Sequence, residues 1–263
     1  MRVWALLMVA CGGSSGDAAD SSATTETGTV TTGDTGGGSG TGGTTPQSFA
    51  GTLTGPTGEP LSAWSLKFCN VTGCRMGETD AAGAFRFDDA TTDPYAFEPV
   101  PPVGSGYATV LMPLTLDPDE TRAVDIEVPM LDAAEPLSAT PAEVELGSGL
   151  FVTVSTDLDA PFGAEAATEA RGVQARVLPS FDDIPGTVIA AWYLDPFNYK
   201  SAEGLPFRIE NQWFLADGTA LHVWVGSYDD FAWLDAGEVV ASGGSLSGTG
   251  RLPLLSTVVL VQP

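Results

Sequence analysis

The sequence predicts an all-β protein: two tandem antiparallel β-sandwich domains, 47–131 and 132–263, after an N-terminal export signal (1–11) and a disordered Gly/Ser/Thr linker (12–46). Three observations predict it. From residue 47 onward the apolar residues fall in short runs rich in β-branched and aromatic side chains, divided by Gly, Pro and Asp. No helical period is sustained through 47–131, and 132–263 is again strand-rich. Between Gly12 and Pro46, 26 of 35 residues are Gly, Ser or Thr and Val30 is the only large aliphatic one. Nothing there offsets the entropy of ordering the chain.

Composition narrows the function classes. Ten Lys and Arg against 34 Asp and Glu give a net charge of −24, which repels phosphate backbones and argues against a nucleic-acid partner. The roughly 215 residues after the linker are ample for a buried core. Of three cysteines, Cys69 and Cys74 are close together and Cys11 stands far off beside an apolar stub. One modified cysteine and one disulfide, Cys69–Cys74, uses all three. Two cysteines and the single histidine, His222, cannot supply four zinc ligands, and no cofactor or metal is expected.

At the N-terminus, Val3 to Ala10 form an eight-residue apolar region behind Arg2, the length of a secretory signal and too short to span a bilayer. Leu7-Met8-Val9-Ala10-Cys11 resembles the lipobox of bacterial lipoproteins. The resemblance implies that Cys11 becomes an acylated N-terminus and that the membrane is a partner, with stable anchoring because more than one acyl chain is attached. Gly12 rather than Asp after the cysteine points to the outer membrane, whether periplasmic or surface-exposed. The linker, as a flexible coil, spans roughly 30–35 Å. Two patterns within it, Gly12-Gly-Ser-Ser-Gly16 and Gly38-Ser-Gly-Thr-Gly-Gly43, mimic a nucleophile elbow and a dinucleotide fingerprint. Both motifs need a strand before and a helix after, and neither has them.

In the first segment, Ser48 to Thr54 reads as a strand ended by Gly55-Pro-Thr-Gly-Glu-Pro60. Ala63 to Cys69 alternates, with Trp64, Leu66 and Phe68 on one face and Ser65, Lys67 and Cys69 on the other. Cys69 and Cys74 enclose a hairpin-sized loop, a local clasp worth about 2 kcal/mol on the chain-entropy model. In Thr79-Asp-Ala-Ala-Gly-Ala-Phe-Arg-Phe87, Asp80 and Gly83 make the turn and Phe85 and Phe87 return to the core. Together with Gly51-Thr-Leu53, where leucine takes the usual valine place, and the Gly-x-x-Gly-x-Pro turn, this hairpin resembles the carboxypeptidase regulatory-like (transthyretin-like) domain. The strand Tyr107–Leu116 and the closing 123–128 continue the pattern. The resemblance implies a seven-stranded β-sandwich acting as an accessory or surface module without catalysis.

In the second segment, 150–154, 172–178, 188–194, 221–225 and 257–261 read as strands. Trp192-Tyr-Leu-Asp-Pro196, Gly204-Leu-Pro-Phe207 and Trp233-Leu-Asp-Ala-Gly237 together resemble ZU5-like β-sandwich modules, which implies no activity. Eleven of the 23 aromatics lie between Trp192 and Trp233. Core packing accounts for many of them. The sharper expectation is a shallow platform for sugar rings, with Trp213, Trp224, Tyr228 and Trp233 as candidates and His222 on the strand face it shares with Trp224. Asp157-Leu-Asp159, Asp182-Asp183 and Asp229-Asp230 sit in predicted loops, none with the spacing of a calcium motif.

The expected function is therefore a non-enzymatic, lipid-anchored cell-envelope protein with binding or structural β-sandwich modules, whose partner beyond the membrane is a polysaccharide or an envelope protein. A carbohydrate-binding module and a hydrolase with an unrecognised acidic site are the two alternatives.

Overall fold

The computed structural model describes residues 47–161 and 163–263, and the expected signal, Cys11 and the linker lie outside them. Every regular element among the described residues is a strand. The first segment carries β1 (Gln47–Thr54), β2 (Ser65–Asn70), β3 (Gly73–Glu78), β4 (Ala84–Ala90), β5 (Pro94–Pro99), β6 (Met112–Thr115) and β7 (Thr121–Glu127). They form a three-stranded sheet, β4-β1-β7, and a four-stranded one, β3-β2-β5-β6. The pairings are antiparallel except β1 with β7, which is parallel over Ser48–Thr54. Strand β7 reaches β1 only after the chain has crossed to the other sheet, and such a crossover brings it back in the same direction.

The expected strand 107–116 shortens to β6, because Tyr107 makes only an isolated bridge to Met130. The 79–87 hairpin turns on side-chain chemistry. Asp80 Oδ1 accepts from the amides of Ala82 (2.8 Å) and Ala84 (2.9 Å), and Gly83 takes φ +76 where a Cβ would lie 2.4 Å from Leu53 O. Between the two sheets an aromatic stack fills the core. Phe68 lies 4.0 Å from Tyr95, 4.9 Å from Phe87 and 5.5 Å from Phe49, centroid to centroid and close to parallel, with Phe97 edge-on to Phe49 at 4.9 Å.

The second segment adds β8 (Glu135–Pro136), β9 (Ala142–Glu145), β10 (Leu150–Val154), β11 (Glu169–Gln174), β12 (Thr187–Asp195), β13 (Tyr199–Glu210), β14 (Ala220–Ser227), β15 (Ala232–Ser242), β16 (Ser245–Ser247), β17 (Arg251–Leu255) and β18 (Thr257–Gln262). They join in one sheet of order β8-β11-β12-β18-β14-β15-β16-β13-β10-β9, with β17 also on β13. Strands from both ends of this path, β10 and β12 among them, face one core around Trp192, so the sheet wraps onto itself.

Strands β12 and β18 are buried on both faces. Trp192, Leu194, Val258 and Leu260 enter the second segment's core, while Ala191, Tyr193, Val259 and Val261 join the first segment's. Their near-continuous apolar runs suit a strand with no wet face. Polar contacts accompany this packing: the Leu111 amide donates to Thr257 Oγ1 (2.9 Å), Arg122 pairs with Asp183 (2.5 Å) and Arg176 with Glu127 (2.7 Å).

The aromatic cleft between the segments

Residues 228–231 turn the chain from β14 into β15, and this turn lies across the first segment. At its start Tyr228 OH donates to Cys69 Sγ (3.1 Å) and lies 3.5 Å from Cys74 Sγ. Just beyond it Trp233 Nε1 donates to Pro113 O (2.9 Å), with its ring edge-on to Phe181 at 5.4 Å. In between, Ser227 Oγ donates to Asp230 (2.6 Å) and accepts the Asp230 amide, and Asp229 pairs with Lys200 (2.6 Å).

Phe231, held at φ +51, sits at the inner end of this strap. An aromatic residue rarely adopts that conformation, and such positions concentrate at functional sites. Together Trp224, Phe231, Trp233, Pro94, Pro113 and Pro185 wall an open cleft of about 260 Å³. Asp183 is the one titratable side chain lining it among the described residues, and its carboxylate is already engaged by Arg122 Nη1 (2.5 Å) and the Thr115 amide (3.1 Å). Its rim can accept a hydrogen bond, and its walls can stack on a flat or puckered ring.

The candidates named from sequence are divided between the two faces of one sheet. On β14 the alternation is as read: Leu221, Val223 and Val225 are buried in the second core, and His222 and Trp224 turn the other way, both half-buried. His222 stands opposite Glu238 and Val261 in the strand register and does not line the cleft. Trp224 and Trp233 pack against the first segment's core, whereas Trp213 packs edge-on against Trp192 (6.2 Å) in the second. The four aromatics therefore do not make one platform. Phe231 and the three prolines are not legible in the sequence as site residues, because neither a positive φ nor a packing across segments leaves a periodic trace.

The Cys69–Cys74 disulfide is formed, between directly opposed residues of β2 and β3 with Cα atoms 4.0 Å apart. Cys69 lies on the face of its strand opposite Leu66 and Phe68 and is 1% exposed, since the Tyr228 turn covers it. In the loop, Asn70 Oδ1 accepts from the Thr72 amide (3.0 Å), Thr72 Oγ1 (2.6 Å) and the Gly73 amide (3.2 Å), so this side chain is committed to the hairpin.

Beside the disulfide, Glu98 is 5% exposed and opposes Lys67 across β2 and β5, with Nζ at 3.2 Å and 5.8 Å from the Tyr228 ring centre. Burial pushes the Glu98 carboxyl above its ordinary 4.5, and the Lys67 ammonium offsets only part of that. The folded state thus binds this proton more readily than the unfolded chain does. The contribution to stability is fully present below pH 4.5 and is lost as pH rises through the raised folded value. Glu98→Gln is therefore expected to leave the protein at least as stable at pH 7, with Lys67 free to reach water, and to flatten the decline in Tm above pH 4.5. Thermal melts of both proteins at pH 4.5, 5.5 and 7 measure this. An equal slope in the two would refute it.

A second groove, of about 430 Å³, is lined by Asp157, Asp159, Glu203, Ser155, Ser201 and Arg251 among others. Among the described residues no three His, Cys, Asp or Glu side chains converge as a metal site.

No family model and no curated protein matches the chain. Solved structures do align with it. A candidate carbohydrate-binding protein from Bacteroides uniformis aligns at 9% identity and a TM-score of 0.27, over 82% of this chain and 79% of that one. A streptococcal ancillary pilin aligns at 12% and 0.30, over 83% and 59%. The TIE protein of Bacillus anthracis aligns at 7% and 0.30, over 83% and 48%. All three scores lie well below the level of a shared fold, and none bears on what this chain binds.

Proposed function

We propose that the chain is a non-enzymatic protein of the cell envelope, anchored by acylated Cys11 in the outer membrane and held out on its Gly/Ser/Thr linker. Its folded part, a carboxypeptidase regulatory-like sandwich at 47–131 and a second sandwich at 132–263, is a rigid module that binds a polysaccharide through the cleft of Trp224, Phe231 and Trp233. The observation that carries this reading is the cleft itself: two indoles and the ring of Phe231, whose backbone is held at positive φ, line an open cleft beside one hydrogen-bonding carboxylate. That carboxylate is held by Arg122 and a backbone amide, which suits the reading of a binding surface over one of acid–base chemistry.

The test is retention of the purified protein on insoluble envelope polysaccharide. Trp224→Ala and Phe231→Ala are expected to lower retention by on the order of tenfold or more, the loss of one good stacking contact. Trp213→Ala, which removes a ring on the other face of the sheet, is expected to leave retention unchanged. Equal retention of all three variants, each with wild-type circular dichroism, would sink the reading.

A further inference from the structure

We infer that Tyr228 and the Cys69–Cys74 disulfide are positioning groups for the cleft, so that the shape of the cleft follows the redox state of this disulfide. The inference rests on the cleft being the functional surface. The strap 227–233 is tied to the first segment at two places, Tyr228 OH on the paired sulfurs and Trp233 Nε1 on Pro113 O, and the strained Phe231 lies between them.

Tyr228 OH lies against the bonded sulfur pair, 3.1 Å from Cys69 Sγ and 3.5 Å from Cys74 Sγ, so it touches both while they are joined. Cys74 is exposed on edge strand β3, while Cys69 is covered. A dithiol reductant can therefore reach the Cys74 sulfur. Its thiolate attacks Cys74 Sγ, and Cys69 Sγ leaves and takes a proton. The reductant's second thiol then displaces Cys74 as a thiol, and the reductant departs as a disulfide. Two electrons and two protons pass to the protein. As separate thiols the sulfurs cannot stay within bonding distance, so the pair opens and Tyr228 OH no longer touches both. With one tie gone, the surroundings no longer over-determine φ at Phe231, and the residue relaxes out of the cleft wall.

Hydrogen exchange with and without dithiothreitol tests this directly. In the reduced wild type the amides of 227–233 are expected to exchange on the order of tenfold faster while those of β12 and β18 do not change. Tyr228→Phe, which keeps the ring and removes the hydroxyl, is expected to show the faster exchange already when oxidised and little further response to dithiothreitol. The inference is overturned if reduction leaves 227–233 unchanged. It is equally overturned if β12 and β18 loosen together with the turn, which would make the disulfide a general clasp, or if Tyr228→Phe responds to reduction as wild type does. Polysaccharide retention is a separate readout: a responsive turn in a protein that binds no polysaccharide would remove the function proposed above and leave the coupling standing.

Discussion

Val259→Asp is expected to unfold both segments in one step. Val259 is fully buried at the centre of β18, opposite Ala191 on one side and Trp224 on the other, and its side chain joins the first segment's core. Its neighbours Val258 and Leu260 belong to the second core. A carboxylate there has neither water nor a cation to face, and an uncompensated buried charge costs about 3–5 kcal/mol. That is a large share of the roughly 5–15 kcal/mol that holds a typical domain together. The measurement is a thermal melt followed by circular dichroism, with hydrogen exchange resolved on β1 and β10. Loss of protection in both at the same reduced temperature is the expected result. Persistence of the β1 sheet after β10 has melted would show that the segments are thermodynamically separate.

Phe68→Ala is expected to cost about 3–5 kcal/mol, the range for removing a buried phenyl ring and leaving a cavity. The position is severe because Phe68 stacks on Phe49, Phe87 and Tyr95 together, and each ring is itself locked between sheets that the other partners line. Little can collapse into the gap. Urea unfolding should move the midpoint and leave the slope unchanged, since the surface exposed on unfolding is nearly the same. A change in midpoint as small as that of a half-buried ring such as Trp213 would contradict the central place given to this stack.

Where alternation was clean, it was a true guide. Trp64, Leu66 and Phe68 line one face of the first segment, and Leu221, Val223 and Val225 one face of β14. The Asp80–Gly83 turn was legible because its side-chain caps act within five residues. Strand β13, the longest at twelve residues, was not legible. Its first half is Tyr199-Lys-Ser-Ala-Glu-Gly204, the register against β17 slips between Lys200 and Leu205, and Pro206 follows. A bulge of that kind breaks the two-residue period by which strands are read. The parallel β1–β7 pair and the double burial of β12 and β18 depend on which segment meets which, and neither depends on local pattern. The cleft fails to show for the same reason: Pro94 and Pro113 come from one segment, and Trp224 and Phe231 from the other.

The double burial of β18 also bears on how the molecule is made. A ribosome delivers β1 some two hundred residues before it delivers Val259 and Val261, which complete the same core. Until they emerge, the early sandwich has an uncovered apolar flank, and its closure waits on contacts of very long sequence separation, the slow kind. In the interval the growing chain is a candidate for aggregation, so it has to be shielded by something other than itself.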